Sequence, residues 1–228
     1  ILWRYGEITN TYASRHFYFN AVLLFFLVLL SLIDRPALSE PSRAPIKILA
    51  FGDSLIAGLG LQKYDDFSEQ LSRSLKRDSY HVTVINAGVS GDTTAGGVAR
   101  VDWVMRVNPD LVILELGAND GLRGLDPKVT KNNLATIIRR IQAKGAVVLL
   151  AGMRAPPNLG VDYGAVFDKI FPDLANIHQL DFYPFFLDGV ASKPELNLAD
   201  GIHPNGSGVK VIVERILPTV KRSLEKIR

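Results

Sequence analysis

Five short apolar runs, separated by stretches of helical period, constrain this chain more than any other feature of its sequence. They are IKILAF (46–51), HVTVINAG (81–88), LVILEL (111–116), AVVLLAG (146–152) and IHQLDF (177–182). Most are continuous rather than alternating, the pattern of strands covered on both faces. Between them, Phe67, Leu71 and Leu75 recur every four residues, and Leu134, Ile137, Ile138 and Ile141 follow the i, i+3, i+4, i+7 spacing of a helix. Gly145 stands where a C-terminal cap belongs. A last stripe, Val209, Ile212, Val213, Ile216 and Val220, contains Pro218, which predicts a kink. Such alternation implies right-handed crossovers and helices on both faces of a parallel sheet. The expected fold class is α/β: a three-layer α/β/α arrangement with a central five-stranded parallel sheet, flavodoxin-like, forming a single domain over residues 46–228.

Residues 1–39 have a different character. Arg15 and His16 precede AVLLFFLVLLSLI (21–33), and Asp34, Arg35, Pro36 and then ALS follow. A basic flank, an apolar core of about 7–15 residues and a small-x-small site describe a secretory signal peptide. A spanning helix needs about 20 apolar residues, more than this run supplies. Cleavage is expected after Ser39, with residues 40–45 as a linker and the mature chain exported to the periplasm or secreted. The 228 residues contain no cysteine, which excludes disulfides, thiolate metal sites and a Cys nucleophile. A formal net charge of +3 is too mild to mark a nucleic-acid surface.

In open α/β sheets, ligands bind beyond the carboxyl ends of the strands. Ser54 lies just after the first run, in Gly52-Asp53-Ser54, as a hydroxyl at a strand end. Gly88 ends the second run and, having no Cβ, can bring its backbone N–H close to a substrate. Asn119 follows the third run and offers an uncharged amide donor. His203 lies in the Gly-flanked loop DGIHPNG (200–206), with Asp200 three residues before it, so that one helical turn would aim both side chains the same way. Together these supply what acyl transfer requires: a nucleophile, a base, a group that orients the base, and donors for the oxyanion. Asp53 and Asp120 are read as carboxylates that bind nearby backbone N–H groups. Met153, Pro156, Pro157, Leu159, Phe185 and Phe186 are the candidate substrate-binding residues, apolar and near the rim loops.

FGDSLIAGLGL, NAGVSGDTT, LGANDGLRG and DGIHPNGSG resemble, in order and spacing, the four blocks of the SGNH (GDSL) hydrolases, over residues 46–228. The resemblance puts the family's four signature residues on Ser54, Gly88, Asn119 and His203, and its catalytic aspartate on Asp200. It implies a catalytic triad of Ser54, Asp200 and His203 and an oxyanion hole of Ser54, Gly88 and Asn119. The subgroup it resembles is the exported bacterial acyl-CoA thioesterases, lysophospholipases and arylesterases. The implied activity is hydrolysis of carboxylic esters or thioesters through an acyl-enzyme on Ser54. The expected partner is a small-molecule acyl ester or thioester, acted on by a monomer with no cofactor, no metal, no nucleic acid and no stable membrane anchor after signal cleavage.

Three other readings compete. A carbohydrate or other small-acyl deacetylase would share every catalytic residue and differ in its pocket. A nucleotide-binding module would need a third glycine in AGLGLQ or a GxxxxGK[ST] after a strand, and the sequence has neither. A non-catalytic periplasmic binding protein would have no reason to keep all five residues.

Overall fold

The computed structural model describes residues 44–227. The expected signal peptide (1–39) and most of the linker lie outside the described residues. Five parallel strands form one sheet in the order β2-β1-β3-β4-β5: β1 (Ile46–Gly52), β2 (Val82–Gly88), β3 (Leu111–Glu115), β4 (Val147–Ala151) and β5 (Asp181–Tyr183). The continuous apolar runs become the strands buried on both faces: Ile48 to Phe51 of β1 and all of β3 are inaccessible to solvent. Fully burying each such Leu or Ile contributes about 1.5–3 kcal/mol.

The eight α-helices of the described residues are α1 (Ser54–Ala57), α2 (Phe67–Arg77), α3 (Thr94–Val104), α4 (Ala118–Leu122), α5 (Pro127–Gln142), α6 (Val161–Asp168), α7 (Ile170–His178) and α8 (Gly206–Leu224). Helices α2 and α8 pack on each other, while α3, α5 and α7 pack in series. The predicted stripes are the buried ones: Phe67, Leu71 and Leu75 on α2, and Leu134, Ile137, Ile138 and Ile141 on α5. Asp66 caps α2 by accepting from the Glu69 N–H, and Asn205 caps α8 by accepting from those of Ser207 and Gly208. No helix among the described residues is long and apolar enough to cross a membrane.

Two details differ from expectation. The last strand is Asp181–Tyr183, because Ile177 and His178 still belong to α7, whose stripe of Ile170, Phe171 and Leu174 carries the chain in helical period until Gln179 turns left-handed at φ 53°. Gly145 lies two residues past the C-cap of α5, which is Ala143, and takes φ 81° in the turn into β4. Pro218 stands inside α8, which continues on both sides of it.

Candidate active site

At the carboxyl end of β1 the sequence leaves no room for a side chain. A Cβ on Gly52 would lie 2.3 Å from Cγ1 of Ile56 and 2.5 Å from Oε2 of Glu115. The chain then turns at once into α1. Asp53 caps that turn, its Oδ1 accepting from the Leu55 N–H at 3.0 Å, and Gly58 closes it in a left-handed conformation at φ 75°. Ser54 is thereby fixed at the start of a one-turn helix on a rigid strand end.

Its Oγ lies 2.9 Å from Nε2 of His203, and Nδ1 of the same ring lies 2.7 Å from Oδ2 of Asp200. No helical turn links Asp200 to His203, contrary to expectation. Instead Oδ1 of Asp200 accepts from the backbone N–H groups of Ile202 (2.9 Å) and His203 (3.0 Å), folding the loop back on its own carboxylate. Those two N–H groups, His203 first, and then the His203 side chain hold the Asp200 carboxyl down at about 2. An ionised Asp200 only accepts, so the proton sits on Nδ1 and Nε2 accepts from the Ser54 hydroxyl. This is the arrangement a general base requires.

Asn119 stands in the first turn of α4, just beyond β3. Its Nδ2 donates to Oδ2 of Asp53 at 3.1 Å, and the side chain lines the cavity over Ser54. Asp53 is buried, and that burial pushes its carboxyl up to about 6. Asp120 accepts from the Thr94 N–H and the hydroxyls of Thr94 and Thr130, tying the loop after β3 to the loop after β2.

Gly88 does not take the position expected of it. Its N–H donates to Oδ1 of Asn86 at 2.9 Å, and the residue does not line the cavity. Its missing Cβ serves packing, because a Cβ there would meet the backbone N of Ala57 at 2.2 Å and the carbonyl carbon of Ile56 at 2.7 Å. The glycine of this loop that lines the cavity is Gly91, at φ 78°, with its carbonyl accepting from Arg123 at 2.9 Å. Gly88→Ala is therefore expected to lower thermal stability, since backbone must move to admit the methyl. Gly91→Ala meets no atom closer than Arg123 Nη2 at 3.9 Å but places an L-amino acid at φ 78°, so it is expected to fold with a fall in Tm of its own, from backbone strain of about 1–2 kcal/mol, and to lose kcat. Thermal melts beside steady-state kinetics check both. A Gly91→Ala variant with unchanged kcat would remove that residue from the site.

The cavity beside Ser54 has a volume of about 650 Å³. Met153, Pro156, Pro157 and Phe185 line it, as expected, and so do Leu55, Leu59, Leu122 and Ile202, which no sequence signal marks. Leu59, Leu122 and Ile202 remain about half exposed, at 46%, 51% and 48%. Leu159 does not line it and lies instead against Gly124. Phe186 points the other way, 1% exposed and edge-on to Phe67 at 5.2 Å in the core. Phe185 sits beneath the guanidinium of Arg154, 4.8 Å from the ring centre. The two phenylalanines are expected to separate cleanly. Phe186→Ala loses about 3–5 kcal/mol of stability with KM little changed, and Phe185→Ala raises KM for an ester substrate with Tm little changed. Equal effects on Tm would contradict these placements.

Residues 50–211 match the GDSL-like lipase/acylhydrolase family. The chain belongs to that family. This GDSL-like hydrolase is 42% identical over 197 residues to an arylesterase of Vibrio mimicus, a match covering 86% of this chain and 98% of the relative. It is 36% identical over 188 residues to thioesterase 1/protease 1/lysophospholipase L1 of Escherichia coli, covering 82% and 88%. A crystal structure of TesA superposes on it with a TM-score of 0.75 at 39% identity, covering 78% of the GDSL-like hydrolase and 99% of the other chain.

Proposed function

We propose that this serine hydrolase cleaves carboxylic esters or thioesters of apolar acyl groups through an acyl-enzyme on Ser54. The observation that carries the reading is the unbroken line from Asp200 through His203 to the Ser54 hydroxyl, ending at a largely apolar cavity. His203 Nε2 takes the proton of Ser54 as Oγ attacks the carbonyl carbon. The N–H of Ser54, the N–H of Gly91 and the free N–H of the Asn119 amide receive the oxyanion. The imidazolium then protonates the leaving alcohol or thiol. Water, deprotonated by the same imidazole, releases the acid and restores Ser54.

Stoichiometric labelling by a fluorophosphonate, lost in Ser54→Ala, tests the nucleophile. Rates over p-nitrophenyl esters, acyl-CoAs and lysophospholipids then fix the acyl and leaving-group preference. The names of the arylesterase and thioesterase/lysophospholipase relatives support those three classes. Exclusive activity on acetylated sugars would favour the deacetylase reading, which the leucine-rich cavity lining argues against. The N-terminal pattern supports export with cleavage after Ser39, and N-terminal sequencing of a periplasmic fraction tests it: a full-length product in the membrane pellet would overturn it.

A further inference from the structure

Packing does not explain Glu115. It ends β3, the central strand, inside a run that is otherwise wholly apolar, and it is completely buried. In the parallel ladder it pairs with Gly52, the glycine of Gly-Asp-Ser. The missing Cβ of that glycine is the space its carboxyl fills, with Oε2 at 2.5 Å from where the Cβ would stand. Oε2 accepts a long bond, 3.3 Å, from the Asp53 N–H, and Oε1 is buried with no partner. The Glu115 carboxyl thus lies against the Asp53 backbone, and the buried Asp53 carboxyl is near enough for its charge to act on it. The ion pairs among the described residues give neither carboxyl a lysine or arginine.

Two ionised carboxyls cannot share a dry site without a cation. One of them holds a proton, and the hydrogen bonds say which. Asp53 already accepts from two donors, the Leu55 N–H on Oδ1 and the Asn119 amide on Oδ2, as a carboxylate does. Glu115 has an orphan oxygen, which protonation converts into a donor. We propose that Glu115 is held as the neutral acid, donating to the Asp53 carboxylate, and that it acts thereby as a positioning residue for the oxyanion pocket. Burial and the neighbouring Asp53 charge both raise the Glu115 carboxyl well above its ordinary range, in keeping with this. The pair carries one proton and one negative charge. His203 across the site draws Asp53 toward ionisation, and Asp92, itself bonded to Arg100, opposes it.

The consequence for chemistry runs through Asp53. With the Glu115 acid on it, the carboxylate has a donor from each of three directions and one fixed orientation. It turns one N–H of Asn119 inward and leaves the other for the oxyanion. The inference rests on the oxyanion role proposed above for Asn119, and its test has an arm independent of that role. Carboxyl-selective 13C NMR titration of the whole chain is expected to find one glutamate still protonated at neutral pH, its signal absent in Glu115→Gln. A Glu115 that ionises in the ordinary acidic range overturns the proposal, whatever the kinetics. In turnover, Glu115→Gln keeps a neutral donor and is expected to retain most of kcat. Glu115→Met fills the space without a donor and is expected to lose about 10- to 100-fold in kcat at unchanged KM, a fraction of what losing an oxyanion donor costs. Gln as poor as Met, or Met as good as the natural residue, overturns it. If the Met variant does not fold, the titration and the Gln variant decide. Failure of fluorophosphonate labelling in the unmodified enzyme would count against the Ser54 reading alone and leave the titration standing.

Discussion

Ser54→Ala and His203→Ala will each remove nearly all turnover, a loss on the order of 10⁴- to 10⁶-fold in kcat, and the double variant will be little worse than either. The reason is the 2.9 Å contact between Oγ and Nε2. A serine without its base is a plain alcohol, and a base without its nucleophile has only water to activate. Either removal breaks one unit, so the losses do not multiply. Asp200→Ala will cost less than either, because Asp200 orients and stabilises the imidazole without exchanging a proton with substrate. Pre-steady-state and steady-state kinetics on a p-nitrophenyl ester measure all four. Losses that multiply in the double variant would mean that Ser54 and His203 work separately.

Asn119→Ala will lower kcat by about 10²–10³-fold while moving KM little. The amide has one N–H committed to Asp53 at 3.1 Å and lines the cavity over Ser54. A donor fixed this way meets the developing oxyanion better than the ground-state carbonyl, so its removal is felt in the transition state alone. A pure rise in KM would make Asn119 a substrate-binding residue. The same variant leaves Asp53 with one donor fewer in a buried site. A modest fall in Tm is therefore expected beside the kinetic loss, and circular dichroism at the assay temperature separates the two.

The fold was legible because burial on both faces leaves a mark that period alone can read. A run such as LVILEL has no polar face to show, and helices of 11 and 16 residues between such runs fix the crossovers. Where period conflicts with a local apolar run, the sequence misleads. IHQLDF has the composition of a strand, yet its first two residues still belong to α7, with Ile177 on the exposed side of that helix. The site was legible where chemistry needs a particular side chain, as at Ser54, Asn119, Asp200 and His203. It was not legible where chemistry needs a direction. Gly88 ends β2 and Gly91 lies in the loop that follows, and only the fold decides which of the two lines the cavity and which donates to Asn86. Phe185 and Phe186 are neighbours outside a helix, so one faces the cavity and the other the core. Glu115 did carry a signal, a charge inside a buried run, but its meaning depends on Gly52, 63 residues earlier, standing beside it in the ladder.

The 149 residues that separate Ser54 from His203 have a meaning in time as well as in space. As the chain emerges during synthesis, β1 and its serine appear first, then the loops bearing Gly91 and Asn119. The imidazole comes only with the segment just ahead of α8. That segment is held by the bridge between Asn197 and Pro204 and by the Asn205 cap on α8, so it takes its place when α8 packs against α2. Until then the growing polypeptide carries a serine no more reactive than any other. A hydrolase assembled in this order stays silent while it is being made and begins to cut esters only once its last large helix is docked.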